Sequence, residues 1–69
     1  MIQEVETQDN RLLRMKVSEY RGETYISFAH MWRKDPSDTE WKFSKQVINI
    51  PIEKKEEFKT AIENFLQSL

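Results

Sequence analysis

Cysteine is absent from this 69-residue chain, glycine occurs once, proline twice and histidine once. Without cysteine there is neither a disulfide nor a cysteine-bearing zinc site. The lone glycine, Gly22, is too little for a phosphate-cradling loop, and no glycine-framed serine is present to serve as a nucleophile. With His30 as the single histidine, carboxylates are the only plentiful metal ligands. No stretch approaches the roughly 18 apolar residues of a membrane span. Met1 to Asn10 is acidic and polar, unlike a secretory signal. The expectation from these absences is an intracellular, cytoplasmic protein that is not an enzyme and uses no metal or cofactor.

What is present points to a folded chain. Hydrophobic residues make up 38%, and eight residues are aromatic, too many for a disordered segment. The length fits one domain, residues 1–69. A chain of this size buries only about 60% of its unfolded surface, and with no cysteine to staple it, oligomerisation is the expected supplement to a thin core.

Net charge is −1, which taken whole disfavours a polyanion partner. Its distribution is uneven. Arg11 to Gln46 carries eight basic against five acidic residues, or +3, between a −3 stretch at residues 1–10 and a −1 stretch from Val47 onward. A basic middle between acidic ends is a weak electrostatic footprint for a polyanion.

Ile2 to Glu6 alternates weakly and reads as a short edge strand, followed by turn residues Gln8-Asp9-Asn10. From Arg11 to Tyr20 the period is two. Leu13, Met15 and Val17 share one face, and Arg14, Lys16, Ser18 and Tyr20 share the other, a half-buried strand with a basic exposed side. Arg21-Gly22 supplies a hairpin turn. Thr24 to Lys34 is a long strand with Ile26, Phe28, His30 and Trp32 on one parity and Tyr25, Ser27, Ala29 and Met31 on the other. Its length invites a bulge near the far end. Asp35 to Thr39 is a loop, and Trp41 to Ile50 is the last strand, with Ile48 and Ile50 facing opposite Val47 and Asn49.

Pro51 closes that strand, and Glu53-Lys54-Lys55-Glu56-Glu57 opens a helix with carboxylates where the dipole favours them. That explains the acidic cluster better than a metal site does. Phe58, Ala61, Ile62, Phe65, Leu66 and Leu69 form one helical stripe. The expected class is α+β, one sheet covered by one C-terminal helix, and the stripe is wide enough to serve a second copy as well.

The string Val17-Ser18-Glu19-Tyr20-Arg21-Gly22-Glu23-Thr24-Tyr25-Ile26-Ser27-Phe28, running on to Trp32, resembles the positive cofactor four family of transcriptional coactivators and their bacterial and phage relatives. Trp41-Lys42-Phe43-Ser44-Lys45-Gln46-Val47-Ile48-Asn49-Ile50 is similar to that family's last strand, and a terminal helix follows. The resemblance implies a four-stranded, antiparallel, curved sheet followed by one helix (ββββα). It also implies dimerisation mainly through the helices, with single-stranded DNA lying across the sheets. Carried over by position, it marks Tyr20, Arg21, Trp32, Lys42 and Lys45 as strand contacts. Ala29, Glu23 and Gln46 stand where the family has basic residues, and Phe43-Ser44 replaces its Pro-Gly. Weaker or more aromatic-dependent binding is the consequence.

Binding a single strand without sequence preference needs cations that track phosphates and rings on which bases stack. The candidates are Arg14, Lys16, Arg21, Lys42 and Lys45 for phosphates, and Tyr20, Tyr25, Trp32 and Phe43 for bases. Arg14 and Lys16 read equally well as a plain solvated face, and Trp32 as a core residue. His30 reads as a strand residue at the core margin. Phe58, Ile62, Phe65, Leu66 and Leu69 are the candidate dimer interface. The expected partners are a second copy and single-stranded DNA, with RNA as a competing ligand and the transcription machinery as a further contact, in transcription or in DNA replication and repair. The competing expectation is a protein-interaction module that regulates transcription and keeps the fold with weak or no DNA affinity.

Overall fold

The computed structural model describes residues 1–69. Four strands follow one another as β1 (Ile2–Gln8), β2 (Arg11–Tyr20), β3 (Glu23–Trp32) and β4 (Lys42–Pro51). A 3-10 turn (Ile52–Lys54) then leads into the helix α1 (Lys55–Gln67). The strands form one open, curved antiparallel sheet in the order β1-β2-β3-β4, so each pairs with its neighbour in sequence. This is the expected ββββα order, with β1 reaching two residues beyond Glu6. No helix is long and apolar enough to cross a membrane.

The turns follow from residues that tolerate left-handed backbone. Asn10 has φ 63° between β1 and β2, and Arg21 and Gly22 have φ 51° and 80° between β2 and β3. Two successive positive φ values match the twist of a two-residue hairpin. The bulge expected in the long strand lies elsewhere. Pairing of β2 with β3 is unbroken from Arg11↔Trp32 to Tyr20↔Glu23, so β3 keeps its parity throughout. The irregularity falls in β4, which spends Phe43 to Val47 opposite Met31 to Ala29, with Lys45 at φ 67°. An edge strand can loop outward in this way without disturbing the central pair.

Register sorts the side chains onto two faces. Opposite partners in an antiparallel ladder point the same way. One face therefore carries Leu12, Arg14, Lys16, Ser18 and Tyr20 with Met31, Ala29, Ser27 and Tyr25, and the other carries Leu13, Met15 and Val17 with His30, Phe28 and Ile26. The helix meets the second face through Phe58, whose ring lies 5.4 Å from that of Phe28.

Two features depart from the expected packing. The helix does not cover the sheet: it has no buried residue, and Phe65 and Leu66 are 63% and 57% exposed. Leu69 lies past its last turn. The helix's contact with the sheet is through Phe58 in its first turn, on Phe28. The buried apolar cluster is Leu12, Ala29 and Met31, with Trp41 packed on it. That cluster sits at the loop end of the face bearing Arg14 and Lys16, where Trp41 packs on it, rather than beneath Leu13, Met15 and Val17.

Candidate nucleic-acid interface

The helix-free face is built in rows across the strands. Register places Glu6, Leu12, Met31 and Phe43 in one row, Glu4, Arg14, Ala29 and Val47 in the next, and Ile2, Lys16, Ser27 and Asn49 in the third. Ser18, Tyr25 and Pro51 form the fourth, and Tyr20 and Glu23 close the face at the hairpin. Rows lie about 7 Å apart, two strand residues each. A groove of about 420 Å³ runs over this surface, with Arg14 and Lys16 on one wall and Phe43 and Val47 on the other.

Between the walls lie Ala29 and Met31 with Ser18 and Ser27, and the two serines belong to a polar relay. Ser27, the only buried polar residue, donates from Oγ to Asn49 Oδ1 at 2.6 Å. A hydroxyl has one hydrogen, so the 2.6 Å contact between Ser18 and Ser27 is one in which Ser18 donates. The chain Ser18, Ser27, Asn49 ties β2, β3 and β4 together and leaves no buried side-chain polar atom unpaired.

Tyr25 donates its hydroxyl to Glu23 at 2.9 Å. That bond, helped by burial and by the negative charge of Glu23 and Glu53, raises the phenol above its ordinary 10.0. Tyr20 is 62% exposed, and the Arg21 guanidinium stacks 5.2 Å from its ring centroid. The pair forms a cation and a ring at one corner of the face.

The charge of the face was not evident along the sequence. β1 brings Glu4 and Glu6 alongside the basic side of β2. Glu4 Oε2 accepts from Arg14 Nε at 2.6 Å, so one of the two cations lining the groove is already paired. Only the register of β1 reveals this, and β1 alternates too weakly for its register to be read in advance.

The remaining expected contacts lie elsewhere. Trp32 and Lys42 are cross-strand partners on the helix side, with Lys42 Nζ 5.0 Å from the Trp32 ring centroid. Trp32 is 37% exposed and is not a core residue; the core tryptophan is Trp41, with Arg33 stacked on it at 4.4 Å. Lys45 stands in the β4 bulge. The structure thus brings Arg14, Lys16, Tyr20, Tyr25 and Phe43 onto one face, with Arg21 at its corner, and separates them from Trp32 and Lys42. In the loop, Asp35 accepts from the backbone N–H and hydroxyl of Ser37 and lies near Arg33, which lowers its carboxyl below the usual range. Compared with protein-family models, with curated proteins and with solved structures, the chain matches none.

Proposed function

We propose that this chain is a homodimeric binder of single strands, DNA in the first place, that works along the helix-free face of its sheet. One observation carries the reading: Arg14, Lys16, Tyr20, Tyr25 and Phe43 share the face that bears a groove lined also by Ser18, Ser27, Ala29 and Met31. Rings interleaved with cations suit a flexible strand, because every base offers a stacking surface and each stacked base contributes about 1–3 kcal/mol. Of the contacts that the positive cofactor four resemblance implies, this face keeps Tyr20 and, at its corner, Arg21, whereas Trp32 and Lys42 lie on the other side of the sheet; the role that goes with the reading is in transcription or in replication and repair.

Surface area supports the dimer. The chain exposes 5928 Å². A compact monomer of 8.4 kDa would expose about 4,600 Å². The excess exceeds the roughly 800 Å² that each partner buries in a standard interface. Its radius of gyration, 13.9 Å, is also larger than the about 11 Å of a compact chain of this length. Ile62, Phe65 and Leu66 on the helix and Leu69 just beyond it, with Val17 and Ile48 on the helix side of the sheet, are the apolar surface a second copy would cover.

The Glu4–Arg14 pair favours a second reading, a protein-interaction module that regulates transcription with little DNA affinity. Titrating oligo-dT at two salt concentrations with the native chain and with Glu4→Gln separates the two. For strand binding, log affinity falls with log salt by about 0.7 per phosphate neutralised, and Glu4→Gln both tightens binding and steepens that slope by about one phosphate. No binding by either protein at about 50 mM salt, where phosphate contacts are strong, leaves the interaction module.

A further inference from the structure

The open end of the sheet holds a second recess, of about 490 Å³, on the side opposite the Arg14 groove. Its walls are the β1–β2 turn, the end of β3 and the bulged part of β4, and Trp32 is its one apolar lining residue. The volume lies in the usual range for small-ligand sites.

The hydrogen bonds at its rim fix what it presents. Ser44 Oγ donates to the His30 carbonyl at 2.7 Å, which uses its one hydrogen. Its 3.3 Å contact with His30 Nδ1 is then made by the ring N–H, and in the neutral imidazole Nε2 is left as an acceptor. On the opposite wall Asn10 Oδ1 accepts from Arg33 Nε at 3.1 Å, so the Asn10 amide N–H groups remain as donors. Arg33 is held in place by its bond to the Asp38 carbonyl and by stacking on Trp41, yet it makes no ion pair and keeps further N–H donors, so its charge adds to that of the cleft. Arg11 makes no ion pair and stands directly across the ladder from Trp32.

The cleft thus offers an aromatic wall, a free guanidinium, an imidazole acceptor, an amide donor and the Asp9 carboxylate. A bare anion is a poor match, because it would meet Asp9 as well as Arg11. A planar base with N–H groups for Asp9 or His30, joined to a phosphate for Arg11, answers every one of these groups. We infer that this cleft takes a single nucleotide unit: the base on Trp32, the phosphate on Arg11. The inference rests on the nucleic-acid reading for the class of ligand, yet the site is separate, with the sheet between it and the Arg14 groove. The β4 bulge acquires a purpose, since its extra residues turn Ser44 and Gln46 toward the cleft.

The test is a set of three titrations of the ¹⁵N-labelled chain, with deoxyguanosine 5′-monophosphate, an oligo-dT strand and inorganic phosphate. The Trp32 indole N–H and the Ser44 and Gln46 amides report the cleft, and the Ser18 and Tyr25 amides report the other face. Saturable shifts at the cleft with the mononucleotide assign it to free nucleotides, and shifts with the strand alone assign it to a unit of a bound strand. Either supports the site, and Arg11→Ala, a change at an exposed position, then weakens the binding about tenfold or more. Cleft signals that stay still with both nucleotide ligands overturn the inference, as does inorganic phosphate binding equally well, or a folded Arg11→Ala that binds like the native chain. Failure of the strand reading shows separately, as Ser18 and Tyr25 amides that do not move with oligo-dT.

Discussion

At the scale of the residue, the two tyrosines of the candidate interface are distinguished by their neighbours. Tyr25 is held by Glu23, whereas Tyr20 stacks with Arg21. Because the folded phenol of Tyr25 is raised above 10.0, the bond contributes stability that is fully present below that pH and is lost as pH rises through the folded value. A phenolate absorbance titration is expected to show one tyrosine ionising later than a free phenol, and Glu23→Gln is expected to bring it back toward 10.0. An unchanged curve in the variant would mean that the bond does not hold in solution. Parity alone placed Arg14, Lys16, Ser18 and Tyr20 together, because the side-chain period of a strand is two. It could not place Glu4 against Arg14, since that contact depends on which residue of β1 faces which residue of β2.

At the scale of the element, the hairpin was the most legible part of the chain: the single glycine sits between two segments of period two, and φ 80° at Gly22 is what the turn requires. A Cβ at Gly22 would meet nothing within 4 Å. The cost of Gly22→Ala is therefore one of backbone alone, about 1–2 kcal/mol. Urea unfolding should show that loss as a lower midpoint with an unchanged slope. A larger loss would require a contact that the turn does not have. The β4 bulge was harder to foresee. Its left-handed residue is Lys45, not glycine, so no local signal marks it. What holds it is a tertiary contact, Ser44 to the His30 carbonyl, formed only once β3 and β4 have paired.

For the whole molecule, the striping of Phe58, Ala61, Ile62, Phe65 and Leu66 predicted a helix, and the chain has one. What the stripe touches is a separate matter. Periodicity gives the direction of a face but not its neighbour, and here the stripe leaves the sheet after Phe58. A chain with only Leu12, Ala29 and Met31 as its buried apolar core has little to hold it together alone. If a second copy supplies the missing core, folding and association are one equilibrium, and stability depends on protein concentration. The native chain is then expected to sediment at twice 8.4 kDa and to melt at a temperature that rises with each tenfold increase in concentration. Phe65→Asp places a carboxylate at a position 63% exposed in the single chain, where it costs little unless a partner covers it. In a dimer the same carboxylate is buried without a counter-ion, so the variant should sediment as a monomer and melt lower, with no dependence on concentration. A native chain that sediments at 8.4 kDa and melts at one temperature across a hundredfold range of concentration would remove the dimer and leave the exposed stripe to another partner.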